Sequence, residues 1–144
     1  MQIDLTNKEF RMLLDMVYIG NWVLNSTRGN DRFQDYDNIE SKLFALCHGT
    51  ALKVLAERQD GISVPSQAYT QGGIHEAIAF YEDNIFYEIL AEELSRRDMN
   101  YPEVTPENYA EIIERMNRYM DEFELSGVDH LVLEDQYPIE KGLP

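Results

Sequence analysis

The sequence predicts a mainly α protein, a single-domain antiparallel four-helix bundle with at most a two-stranded β element near the termini. Three observations lead there. Apolar residues recur at i, i+3, i+4 and i+7 in several long segments. Helix-start signals stand at Thr6 and Thr105. Polar or Gly/Pro-containing stretches separate the segments at 26–35, 59–73 and 99–104. With 144 residues and 44% hydrophobic content, the chain is long enough for one sizeable core. The expected helical domain covers residues 1–136, and residues 137–144, with Pro138, Gly142 and Pro144, read as a C-terminal tail.

The first helix starts at Thr6, because Glu9 three residues later completes a capping box, and it runs to about Asn25. A second is expected from Asp37 or Asn38 to about Arg58, with Gly49 as its weak point. A third is expected from Ile74 to Arg97. The fourth begins where Thr105 caps and Pro106 occupies the first helical position, and it ends near Gly127. In it, Tyr109, Ile112, Ile113, Met116, Met120 and Phe123 form one apolar stripe, while Glu111–Arg115 and Glu114–Arg118 are i, i+4 pairs on the other face. The alternating "QIDL" at 2–5 and "VDHLVLED" at 128–135 are the β-competent segments, expected to pair with each other.

The first helix is unusual in having two apolar stripes, one of Met12, Met16, Ile19 and Val23, the other of Phe10, Leu13, Leu14, Val17 and Leu24. Together they cover more than half the circumference. That marks a central helix, expected to be the most buried, or one shared with a second chain. Gly20 reads as a close helix crossing, and Asn21 as a buried amide bonded to a loop or a polar side chain. The remaining narrow face holds Arg11, Asp15, Tyr18 and Trp22, the candidate binding residues. An aromatic pair beside a charge pair favours a half-wet contact, made either by the 26–36 loop or by a partner, and Arg, Tyr and Trp are enriched at interface hot spots.

Charge narrows the partners. The chain carries −15 overall, and residues 71–144 hold 18 acids against 5 bases, a net −13. Such a field repels nucleic acid and anionic membrane and attracts a basic protein. A homodimer is expected through helix one or two, since two −13 halves repel each other. No apolar run approaches the ~20 residues of a membrane span, and "MQIDLTNKEF" lacks a secretory pattern, so a cytoplasmic protein is expected.

Catalytic patterns are weak. His75-Glu76 is not followed by the second histidine of a zincin, and no Glu-x-x-His occurs. Cys47 and His48 are adjacent, so on a helix their side chains diverge. Cys47 reads as a small core residue and His48 as a packed, satisfied histidine. No catalytic set, cofactor or metal site is predicted. The expected function is a non-enzymatic, acidic protein-interaction module of adaptor, inhibitor or immunity type. The alternative is a small metal-dependent hydrolase using helix carboxylates and His75.

Overall fold

The computed structural model describes residues 2–132. The chain is mainly helical, at 69% helix, with one small antiparallel sheet. It divides into two compact units, Met1–Tyr81 and Glu82–Pro144. Among the described residues, no helix is long and apolar enough to cross a membrane.

In the first unit, α1 spans Asn7–Asn25 and starts as the sequence predicts. The Thr6 side chain accepts from the Glu9 N–H, and the Glu9 carboxylate accepts from the Thr6 N–H at 2.8 Å. The second helix, α2, spans Gln34–Ala45, beginning earlier and ending far sooner than expected. A 3₁₀ turn at Leu46–Gly49 follows it. There the Thr50 hydroxyl donates to the Cys47 carbonyl at 3.0 Å and accepts from the Leu52 N–H at 3.1 Å, closing the helix end. Residues expected to continue the helix instead form β1 (Ala56–Gln59), paired with β2 (Ile62–Pro65) in the register Gln59↔Ile62 to Ala56↔Pro65. The hairpin turn is Asp60-Gly61, with φ of 51° and 83°. Positive φ at both central residues is what a tight two-residue hairpin requires, and Asp-Gly supplies it.

The β element is therefore an internal hairpin and not a pairing of the termini. Residues 2–5 form no strand, and Ile3 and Leu5 are exposed. Residues 128–132 form no strand either, and the remainder of that expected segment lies outside the described residues, as does the 137–144 tail.

After the hairpin, Ser66 caps a single turn, α3 (Gln67–Tyr69), accepting from the Tyr69 N–H at 3.2 Å and donating to the Val54 carbonyl at 2.6 Å. A wide turn over Thr70–Ile74, with Gly73 at φ 95°, leads into α4 (His75–Asp98). The core of the first unit joins Leu14, Phe44, Cys47, Ala56, Tyr69, Ile74 and Ile78.

In the second unit, α5 spans Pro106–Ser126, with the Asn108 side chain accepting from the Thr105 N–H at 2.9 Å. Tyr87 meets Phe123 at 5.4 Å, and the Tyr119 hydroxyl donates to Asp98, so α5 runs antiparallel to the end of α4. Ile112 and Phe123 are the buried members of the predicted stripe, and Tyr109 is exposed. Both predicted Glu–Arg pairs form.

Helix α1 departs from the expectation of a fully enclosed helix. Only Leu14, Asn21 and Asn25 are buried on it. Met12, Met16, Ile19 and Val23 are 57, 65, 36 and 67% exposed. From the inner stripe, Leu14 is buried in the first unit's core and Phe10 packs against it, whereas the outer stripe is exposed. Gly20 likewise marks no close crossing, because nothing lies within 4 Å of where its Cβ would stand. Gly20→Ala is expected to stabilise the fold by up to about 1 kcal/mol through helix propensity. Gly61→Ala, placing a side chain at positive φ, is expected to destabilise it by about 1 kcal/mol. Urea unfolding of both variants checks the opposite signs.

Candidate functional site

The narrow face of α1 is covered from within the first unit. Arg11 and Asp15 form an ion pair. The Tyr69 hydroxyl donates to the same Asp15 Oδ1 at 2.8 Å, and the Arg11 guanidinium lies 4.5 Å above the Tyr69 ring. Tyr69 is completely buried, with ring edges against Phe44 at 5.0 Å and Tyr18 at 5.3 Å. Burial and the Asp15 carboxylate push its phenol far above the ordinary range, so it remains a donor. Tyr18 shares a 2.9 Å hydrogen bond with His75 Nε2, and the His75 ring meets Trp22 edge-on at 4.8 Å. All four candidate residues are half-buried. The cover comes from Tyr69 and His75, which the sequence reading had not assigned to this face.

The loop at 26–36 contributes differently, by framing a 320 Å³ cavity next to the aromatic pair. Tyr18 and Trp22 line it together with Asn21, Asn25, Arg32 and Glu40. Asn21 is a buried amide with polar partners, as expected. Its Nδ2 donates to Asp37 at 3.0 Å and to Glu40 Oε2 at 3.1 Å, and its Oδ1 accepts from Asn25 Nδ2 at 2.8 Å. Asn25 Oδ1 accepts from the Phe33 N–H at 2.8 Å, which ties the loop to α1 where α2 begins. Arg32 grips Asp37 through Nε at 3.0 Å and Nη2 at 2.7 Å, and Nη1 donates to the Asn25 carbonyl at 3.1 Å. The two carboxylates on α2 are pushed in opposite directions. The Arg32 hydrogen bonds hold Asp37 below its ordinary value. Burial raises Glu40, with a further push from Asp37, against the Asn21 hydrogen bond and the Arg32 charge.

Glu40 and Asp37 stand at the start of the second helix the sequence predicts, but nothing local in the sequence shows that this turn faces Asn21. The spacing of a polar Asn21/Asn25 pair, opposite an acidic α2, was the available signal.

The groups considered for catalysis are dispersed. Among the described residues, no three His, Cys, Asp or Glu side chains converge on a point that could hold a metal. His75 is bonded to Tyr18, whereas His48 bonds Ser63 at 3.1 Å. Cys47 is fully buried in the core, and burial raises its thiol. No family model matches the sequence, and no curated protein or solved structure matches the chain.

Arg11 is more than a surface charge here, since it covers the face of a core tyrosine as well as pairing with Asp15. Arg11→Ala is expected to cost about 1–2 kcal/mol, beyond the sub-kcal value of an exposed pair. Tyr69→Phe, which keeps the ring and deletes the hydroxyl, is expected to cost about 1–1.5 kcal/mol. Denaturant titration of both variants measures these losses. An Arg11→Ala cost below about 0.5 kcal/mol would mean that the pair behaves as solvent-exposed.

Proposed function

We propose that this protein is a non-enzymatic interaction module that self-associates through the outer stripe of α1 and presents to a basic protein partner the part of its Arg11, Asp15, Tyr18 and Trp22 face that Tyr69 and His75 leave uncovered. The observation that carries the reading is the continuous exposed stripe of Met12, Met16, Ile19 and Val23. The exposed parts of four such side chains amount to roughly 400 Å², the size at which an apolar patch on a single chain is often functional. The stripe carries no charge, so a second copy meets it without bringing like charges together. Two copies packed stripe to stripe bury roughly 800 Å² at the centre. That is about half of a standard interface, leaving the rim to supply the rest. Residues 1–70, with 9 acids and 7 bases, are nearly neutral, which favours contact there over the −13 remainder.

The basic partner follows from the same charge division. The acidic remainder attracts it over a distance, and the half-buried Tyr18 and Trp22 supply amphipathic contact area.

Sedimentation velocity at micromolar concentration in physiological salt tests the reading. The native chain is expected to run as a dimer. Met16→Glu, which places a charge at the centre of the stripe, is expected to raise the dimer Kd at least 100-fold, about 2.7 kcal/mol, with unchanged far-UV circular dichroism. A monomeric native chain would remove the self-association.

A further inference from the structure

We propose that the cavity beside Tyr18 and Trp22 receives the ammonium end of a partner's lysine side chain, held against the two rings and neutralised by Glu40. The inference rests on reading this face as the contact for a basic partner, and it names the chemistry of that contact.

Charge accounting inside the cavity selects a cation. Arg32 is spent on Asp37 through two hydrogen bonds. Glu40, among the described residues, has one hydrogen bond, from Asn21, and no ion pair. One negative charge is therefore left over in a half-buried recess. The amide donors are already committed as well. Asn21 Nδ2 serves Asp37 and Glu40, and Asn25 Nδ2 serves Asn21 Oδ1 and the Phe33 carbonyl. An anion entering here would find no free amide donor, whereas a cation finds a carboxylate.

The rings complete the recess. Tyr18 and Trp22 line the same cavity with centroids 6.3 Å apart, so an ammonium resting above the pair lies within the ~6 Å over which an aromatic ring attracts a cation. The 320 Å³ volume is at the small end of ligand sites, with room for one side chain and not for a helix or strand. Lysine fits better than arginine. A compact ammonium needs only one carboxylate oxygen and little room beside the rings, and a recess already lined by the Arg32 guanidinium favours it over a second, wider planar cation.

The cost of keeping Glu40 supports the assignment. It faces Tyr18 and Asn21 on α1, Arg32 on the loop and Asp37 on its own helix, and burial raises its pKa in that setting. A carboxylate raised by folding gives stability that is present at low pH and lost as pH rises through the raised value. Glu40 therefore works against the fold at neutral pH, and a bound ammonium offsets that.

Trp22 is the only tryptophan in the chain, so its emission and its indole N–H resonance report on the surroundings of this one side chain. The native protein is titrated at pH 7 with N-acetyl-lysine-N-methylamide, with the norleucine analogue and with the arginine analogue. The lysine probe is expected to give a saturable response near ~1 mM, with the two analogues at least fivefold weaker. Glu40→Gln is expected to weaken the lysine probe at least tenfold while raising Tm at pH 7, which separates lost binding from lost folding. Equal response to norleucine, undiminished binding by Glu40→Gln, or no saturable response of the native protein each overturns the assignment. The probe is a free amino-acid derivative, so Met16→Glu is expected to bind it like the native chain. A failed dimer with an intact probe response would reject only the self-association. An intact dimer without probe response would reject only the lysine site.

Discussion

A tyrosine hydroxyl donated from a fully buried ring to a half-buried carboxylate organises the first unit. Tyr69 and Asp15 are 54 residues apart, so their 2.8 Å hydrogen bond fixes the segment after the hairpin against α1. Either partner alone would be costly, because a buried phenol without an acceptor forfeits its desolvation energy. Together with Arg11 over the ring face and Phe44 and Tyr18 at its edges, the bond makes a polar group compatible with the centre of the core. The rest follows along the chain. Ser66 sets the turn that delivers Tyr69, the wide turn after it carries Gly73 at positive φ, and His75 then arrives against Tyr18 and Trp22. The aromatic side of the cavity is thus a consequence of where Tyr69 is anchored.

Much of this was legible where the signal is local. Thr6 with Glu9 announces a helix start by hydrogen bonds that close within one turn, Thr105 with Pro106 by a cap residue before a proline whose fixed φ suits the first helical position, and both helices begin there. The second helix was overextended because "ALKVLAERQ" is compatible with helix by composition, while the decisive element, Asp60-Gly61, acts on residues on both sides of it. An Asp-Gly flanked by "AERQ" and "ISVP" was the hairpin signal, and it outweighed propensity. At the site, Arg11–Asp15 and the half-burial of Trp22 follow from i, i+4 geometry and amphipathic chemistry. Tyr69, His75 and Glu40 did not, because their approach to α1 depends on the hairpin and on how α2 packs across α1, which no local pattern specifies.

Helix α1 illustrates what periodicity measures. Its two apolar stripes are real features of the sequence, yet only one of them, through Leu14 and Phe10, joins the cluster of Phe44, Cys47 and Tyr69. A hydrophobic pattern specifies which side chains gain from leaving water. It does not specify that the same chain supplies the cover. The other side of the helix is held by long-range polar bonds from Asn21 and Asn25 to α2 and its loop. Those bonds set the rotation of α1 about its own axis, and that rotation turns Met12, Met16, Ile19 and Val23 outward. The exposed stripe is consequently tied to the buried amides: turning it inward would require breaking the Asn21 and Asn25 network.

That network also divides labour between two carboxylates on one helix face. Asp37 takes Arg32 and both asparagines, and is held ionised by them. Glu40, one turn further on, receives a single amide hydrogen bond and is more buried by its surroundings. A core designed only for stability would place an uncharged amide or an apolar side chain at position 40, since a half-buried carboxylate without a cation is a standing cost. Arg32 gives its hydrogen bonds to Asp37 and reaches Glu40 only through its field, and Arg28 in the same loop pairs with Asp31. The cavity lined by Tyr18, Trp22, Ser26 and Glu40 lies beside that carboxylate, so a cation entering it would lower the cost that burial places on Glu40.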